Sequence, residues 1–242
     1  MMHDKHQVIE GLAASIPLAN LDTDQIMPKQ FLRGIDKAGL DKGLLYDMRF
    51  DEAGRPRETF ILNRPDYART RILLAGPNFG CGSSREHAVW GLQQFGIRAI
   101  IAPSFGEIFY SNAMNNRLLL VMASEPDVRA LMDDVSVPER GHIAIDLKTM
   151  RVRSGKREIA FDLSPRHRGM FIQGQDLIGA SLAHREAIEA FAARHWQTHP
   201  WLKNVAGLTF ERLGASAPAS FAAASPSSAP GSTPTGAMGR AR

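Results

Sequence analysis

Between residues 71 and 121 the chain alternates short apolar runs with stretches of helical periodicity. Arg71-Ile72-Leu73-Leu74-Ala75-Gly76 is an apolar run closed by Gly-Pro, which predicts a buried strand. Ala88, Val89, Leu92 and Phe95 then recur at helical spacing, and Gly96 stands where a helix C-cap belongs. Residues 98–102, 104–114 and 118–121 repeat the sequence strand, helix, strand. Such alternation predicts a parallel βαβαβ core with right-handed crossovers. Further on, residues 124–134 place Val128, Leu131 and Met132 on one face of a helix. Residues 142–147, 150–156 and 158–161 alternate in strand fashion about short turns, which predicts a second, smaller antiparallel sheet. Helices resume near Pro165, and residues 184–195 carry Ile188 and Phe191 on one face. An irregular strand over residues 8–18 and a loop region from 43 to 66 complete a fold of α/β class with two sheets and a helical layer.

The pattern stops before the chain does. Residues 214–242 consist almost wholly of Ala, Ser, Pro and Gly, with Arg240 and Arg242 as their charges, and contain nothing able to build a packed core. The expected organisation is one domain over residues 1–202 and a disordered tail over 203–242. The formal net charge of +4 changes little, because two of those charges lie in the tail and no basic stripe runs along the body, so nucleic acid is not an expected partner. The start of the chain lacks an apolar leader, and no run approaches the roughly 18 apolar residues of a membrane span. Cysteine usage decides more. Cys81 stands alone, which fits a reducing, cytoplasmic location and rules out an iron–sulfur cluster built from this chain's own thiolates, since a cluster takes about three or four. The histidines near 167, 184, 195 and 199 have no cysteine or paired carboxylate beside them, so no metal site is expected.

The candidate chemistry lies at the first strand-to-helix junction, Asn78-Phe79-Gly80-Cys81-Gly82-Ser83-Ser84-Arg85-Glu86-His87-Ala88. A turn at the carboxyl end of a strand and the amino end of a helix offers free N–H groups and the positive end of the helix dipole. Gly80 and Gly82 let backbone approach a ligand, and Arg85 adds a guanidinium fork suited to a carboxylate or phosphate. A plainer reading competes: Ser83 and Glu86 have the spacing of a capping box, which spacing alone favours. Ser104 and Glu107 have the same spacing without flanking glycines or a following arginine, and read as structural. Arg85 stands where a dinucleotide fingerprint needs its third glycine. A P-loop would need Gly-Lys-Ser/Thr and a hydrolase elbow Gly-x-Ser-x-Gly, and neither is present. Upstream, Asp22, Thr23 and Asp24 read equally as turn and cap residues or as site residues. His87 reads as a structural histidine at the helix start, and Asn115-Asn116 as a helix C-terminal turn.

The run from Gly80 to Ala88 resembles the Gly-x-Gly-Ser-Ser-Arg-Glu-His-Ala signature of the aconitase superfamily, in its swivelling domain. Together with residues 22–32, Asp-Thr-Asp-Gln-Ile-Met-Pro-Lys-Gln-Phe-Leu, it resembles the small-subunit family of the bacterial isopropylmalate dehydratases over roughly residues 8–202. The resemblance implies a swivelling β/β/α three-layer domain and a hydro-lyase that isomerises a hydroxy-diacid by dehydration and rehydration. It implies Ser83 as the catalytic base, and Arg85, Ser84, Thr23, Asp24, Lys29 and Gln30 as substrate-binding residues, with Arg33 a weaker member of that group. It also implies a large partner subunit, in a heterodimer or heterotetramer, that carries the 4Fe-4S cluster this chain does not bind. Related split hydro-lyases acting on citraconate, homoaconitate or dimethylmaleate share the signature, so the choice of diacid stays open at this level.

Overall fold

One strand belongs to two differently ordered halves of a sheet. In the computed structural model, which describes residues 7–32 and 38–213, β1 (Val8–Ile16) pairs in parallel with β2 (Thr70–Ala75) and antiparallel with β5 (His142–Asp146). Beyond β2 the parallel half continues through β3 (Ala99–Ala102) and β4 (Leu119–Met122). Beyond β5 the antiparallel half continues through β6 (Arg151–Ser154) and β7 (Arg157–Ala160). The strand order is β4-β3-β2-β1-β5-β6-β7, a single mixed sheet of seven strands. The expectation of a separate antiparallel sheet is therefore corrected. Its strands pair as expected, but β1 is long enough to offer Val8–Leu12 to β5 on one edge and Leu12–Ile16 to β2 on the other.

The parallel half contributes much of a core that also takes in Ile143, Ile145 and Val152 of the antiparallel half. Ile72, Leu73 and Leu74 of β2, Ile100 and Ile101 of β3 and Leu119 to Val121 of β4 are all buried, the continuous apolar runs expected where both faces of a sheet are covered. The connecting helices are α3 (Glu86–Phe95) between β2 and β3, α4 (Glu107–Asn115) between β3 and β4, and α5 (Glu125–Asp134) after β4. Helix α3 buries Ala88, Val89 and Leu92, the stripe that its sequence period identified, and ends on Gly96 in left-handed geometry. Two one-turn helices, α1 (Thr23–Ile26) and α2 (Tyr46–Arg49), precede them. The region over 43–66 is more than a loop: Leu44, Leu45 and Leu62 are buried in the core, as is the neighbouring Tyr67. The short turn Leu40–Gly43 lies against α3, where the Leu40 N–H donates to Gln94 Oε1 at 2.9 Å.

Helices α6 (Pro165–Gln173) and α7 (Leu177–Leu182) complete a first compact unit, which ends at Ala183. A second unit from His184 contains α8 (Arg185–Thr198) and α9 (Val205–Arg212). Helix α9 lies past residue 202, where the tail was expected to begin. Residues 214–242, the Ala/Ser/Pro/Gly-rich stretch, fall outside the described residues. Among the described residues no helix is long and apolar enough to cross a membrane.

If the parallel half carries the stability, Ile100→Ala in β3, which is fully buried, should cost about 2–5 kcal/mol by loss of burial and cavity formation. Ile159→Ala on the edge strand β7 should cost less than half as much. Midpoints of urea unfolding measure both, and equal shifts would contradict this ranking.

Candidate functional site

The turn after β2 is held from two sides, by backbone and by one serine hydroxyl. On one side lies the segment before α4: the Asn78 N–H donates to Ser104 Oγ at 2.9 Å, Phe79 N–H to the Ser104 carbonyl at 3.1 Å, and Gly106 N–H to the Phe79 carbonyl at 2.9 Å. On the other lies the segment entering α1: Gly80 N–H donates to the Leu21 carbonyl at 2.7 Å, and Thr23 N–H to the Cys81 carbonyl at 2.9 Å. Asn78 and Asn20, both at positive φ, join side chains at 2.8 Å. Phe79 is buried edge-to-face on Phe109 of α4, with ring centroids 5.4 Å apart. Gly80 has φ +74°, and a Cβ there would lie 2.3 Å from the Phe109 ring, so both backbone and packing demand glycine. Gly82, at φ +91°, turns the chain again beside Asp22 and Thr23.

This path leaves the two serines outside. Ser83 and Ser84 are exposed, and the Ser83 hydroxyl makes no hydrogen bond among the described residues. The Ser83–Glu86 capping box does not form. Helix α3 starts at Glu86, with Arg85 as an N-cap in extended geometry and no side-chain cap among the described residues. The Ser83 carbonyl is taken by the Arg85 N–H and by Thr23 Oγ1, each at 2.9 Å, which sets the serine two residues ahead of the cap position. Glu86 is held elsewhere, accepting from Asn116 Nδ2 at 2.6 Å. The amino end of a ten-residue helix is thus open beside two exposed hydroxyls. The second box fails too: α4 starts at Glu107 with Gly106 as its N-cap, and Ser104 is spent on the turn at Asn78.

The structure brings Thr23 and Asp24 against the turn. Thr23 is buried, with its hydroxyl donated to the Ser83 carbonyl. Asp24, half exposed, forms an ion pair with Arg85 Nη1, and only 15% of the Arg85 side chain remains accessible. Asp22 serves as a cap, accepting from Gln25 N–H at 2.7 Å while Gln25 Oε1 accepts from its own N–H. Lys29 and Gln30 lie exposed on a single 3-10 turn, Lys29–Phe31, and their side chains have no hydrogen-bond or ion-pair partner among the described residues. Arg33 falls outside the described residues. The His87 ring packs on Trp90 with centroids 4.8 Å apart.

Three supporting residues emerge from the structure, of which the sequence reading missed Phe109 and took Ser104 and Asn116 only for helix-end residues. Ser104 and Phe109 brace the turn from the side of α4. Asn116 joins α3 to α4, accepting from Trp90 Nε1 at 3.1 Å as well as donating to Glu86. Its place at a helix end suggested only turn chemistry. Cys81 is half-buried and is the chain's one thiol, so the donor set does not fit an iron–sulfur cluster. Among the described residues no group of three or more His, Cys, Asp or Glu is placed to hold a metal.

Comparison with known proteins agrees with this architecture. Residues 4–126 match the model of the aconitase C-terminal domain, and residues 178–205 match the model of the C-terminal domain of the 3-isopropylmalate dehydratase small subunit. A 3-isopropylmalate dehydratase small subunit 1 from Chromobacterium violaceum is 65% identical over 86% of this chain and 98% of its own length. Its counterpart from Mannheimia succiniciproducens is 46% identical over 83% of this chain and 99% of its own length. Among solved structures, the 3-isopropylmalate dehydratase of Methanocaldococcus jannaschii superposes with a TM-score of 0.56 at 28% identity, covering 76% of this chain and 99% of that one. With a matching family model over half its length and relatives of this identity spanning nearly their whole length, the chain belongs to the 3-isopropylmalate dehydratase small-subunit family of the aconitase superfamily.

Proposed function

We propose that this chain is the small subunit of a 3-isopropylmalate dehydratase, which interconverts 2-isopropylmalate and 3-isopropylmalate by dehydration and rehydration in leucine biosynthesis, and that it acts only with a large iron–sulfur subunit. The observation that carries the reading is the exposed Ser83 hydroxyl beside Arg85 at the amino end of α3, with no hydrogen bond to that hydroxyl and no side-chain cap among the described residues. The reaction removes a proton next to a carboxylate and expels a hydroxyl, then returns water with the positions exchanged. The partner's cluster supplies the Lewis acid for the hydroxyl. What falls to this chain is the proton and the carboxylate.

Ser83 takes the proton as an alkoxide, while Arg85 and the first amides of α3 hold a substrate carboxylate and the charge that builds on it. A serine hydroxyl in water is far too weak an acid for this role. The anion becomes accessible only when a cation, a helix amino end and a dry enclosure act on it together. In the isolated chain the enclosure is missing, since Ser83 faces water, and Asp24 occupies one nitrogen of the Arg85 fork. Asp24 therefore stands where a substrate carboxylate would compete, and orients the fork until it arrives. Thr23 acts through Ser83 as a positioning residue, by fixing its carbonyl. Ser84 adds a second exposed hydroxyl for the substrate. Lys29 and Gln30, unpartnered among the described residues on the 3-10 turn after α1, are the residues we assign to reading the substrate's side chain.

Reconstituted with the large subunit, Ser83→Ala should lower kcat by about 10²–10⁴-fold with KM little changed, the usual scale for losing a general base. Near-normal turnover would end the proposed role. Thr23→Val keeps the shape and deletes the hydroxyl, so it should cost roughly 1 kcal/mol of stability in urea unfolding and reduce kcat more than it raises KM. A change confined to stability would make Thr23 merely structural.

A further inference from the structure

The end of the parallel sheet away from the Ser83 turn carries a cluster of three exposed arginines, none of which has an ion pair among the described residues. Arg71 is the second residue of β2, Arg98 immediately precedes β3, and Arg117 comes just before β4. The sheet sets them side by side: the Arg98 N–H donates to the Arg71 carbonyl at 2.7 Å and the Leu119 N–H to the Arg98 carbonyl at 3.1 Å. All three line one half-open cavity of about 670 Å³, whose wall also includes Trp90 and Phe171 and, among the described residues, contains no aspartate or glutamate. Its size is that of a small-molecule site.

The arginines are only partly used by the fold. One nitrogen of Arg98 serves the carbonyls of Gln93 and Ile97, at 2.9 and 3.0 Å, where α3 ends. One nitrogen of Arg117 serves the Gly174 carbonyl at 2.9 Å, where α6 ends. Both are ordinary neutralisations of helix carboxyl ends, and they leave the remaining guanidinium nitrogens available. Arg71 has no such duty: among the described residues its guanidinium has no hydrogen bond or ion pair. Its stem lies in the space left by Gly11, where a Cβ would sit 2.8 Å from Arg71 Cδ. Partial desolvation of an otherwise exposed residue, and secondarily the Arg71 charge, hold the Arg98 guanidinium below the ordinary arginine range. Arg117 adds a backbone at φ +61°, an uncommon conformation for a long side chain.

We propose that this cavity is a second anion site, which takes a phosphate-bearing small molecule with its phosphate oxygens among Arg71, Arg98 and Arg117 and its organic part toward Trp90 and Phe171. Three arginines lining one cavity, with no carboxylate in its wall among the described residues, match an oxyanion of multiple charge better than a single carboxylate. The site is separate from that of the diacid: β2, six residues and about 16 Å long, has Arg71 near one end and the Ser83 turn beyond the other.

Calorimetric titration of the full chain with inorganic pyrophosphate at physiological ionic strength tests this. Saturable one-site binding is expected, weakened about tenfold or more by Arg71→Gln, whose unfolding midpoint should match the parent because the guanidinium bonds to nothing among the described residues. Arg85→Gln, at the other end of β2, should leave the affinity unchanged. Absence of saturable binding would overturn the proposal, as would affinity indifferent to Arg71→Gln or lost equally on Arg85→Gln. Citrate displacing pyrophosphate at equal concentration would overturn the phosphate assignment. The outcome is independent of turnover by the reconstituted enzyme.

Discussion

Three hydrogen bonds hold the candidate site in shape. Gly80 N–H to the Leu21 carbonyl, Thr23 N–H to the Cys81 carbonyl and Thr23 Oγ1 to the Ser83 carbonyl fasten the turn after β2 to the segment that enters α1. Residues some sixty positions apart thereby become one rigid rim. Because two of the bonds use backbone only, the rim tolerates whatever side chains face outward. Because the third takes the Ser83 carbonyl, the serine is held out of the cap position it would otherwise fill, and its hydroxyl is left to the surroundings. A buried threonine thus helps to keep an exposed serine out of the cap position.

The sheet arranges charge at both of its ends. At the carboxyl end of β2, the uncapped amino terminus of α3 and the Arg85 fork make one positive focus, tempered by Asp24. At the amino ends of β2, β3 and β4 lies a second, in Arg71, Arg98 and Arg117, tempered only by helix carbonyls among the described residues. Strand β1 ties this parallel half to the antiparallel half. In the proposed enzyme, division of labour between chains follows from donor sets: this one has cationic and hydroxyl groups and a single thiol.

Legibility in the sequence followed the range of the forces. Apolar runs at 71–76, 98–102 and 118–121 became strands because burial on both faces leaves no other reading. The stripe Ala88, Val89, Leu92 became the buried face of α3 for the same reason. The small-residue turn with Arg85 stood out as a candidate anion site from composition and position alone. What local spacing misjudged were the two Ser-x-x-Glu boxes, since a capping box competes with tertiary hydrogen bonds that no local pattern records: Thr23 claims one turn and Asn78 the other. The split into two sheets failed similarly, because alternation identifies a strand's faces and says nothing about which edges meet. Core residues in the 43–66 region went unread because Leu44, Leu45 and Leu62 sit among turn formers without a period.

Amide hydrogen exchange, followed with and without the large subunit and a hydroxy-diacid, addresses the central claim most directly. If the rim formed by residues 21–25 and 79–86 is this chain's half of a shared catalytic chamber, the amides of both segments should gain protection together when partner and diacid are added. Protection appearing elsewhere while both segments exchange as in the isolated chain would contradict the account.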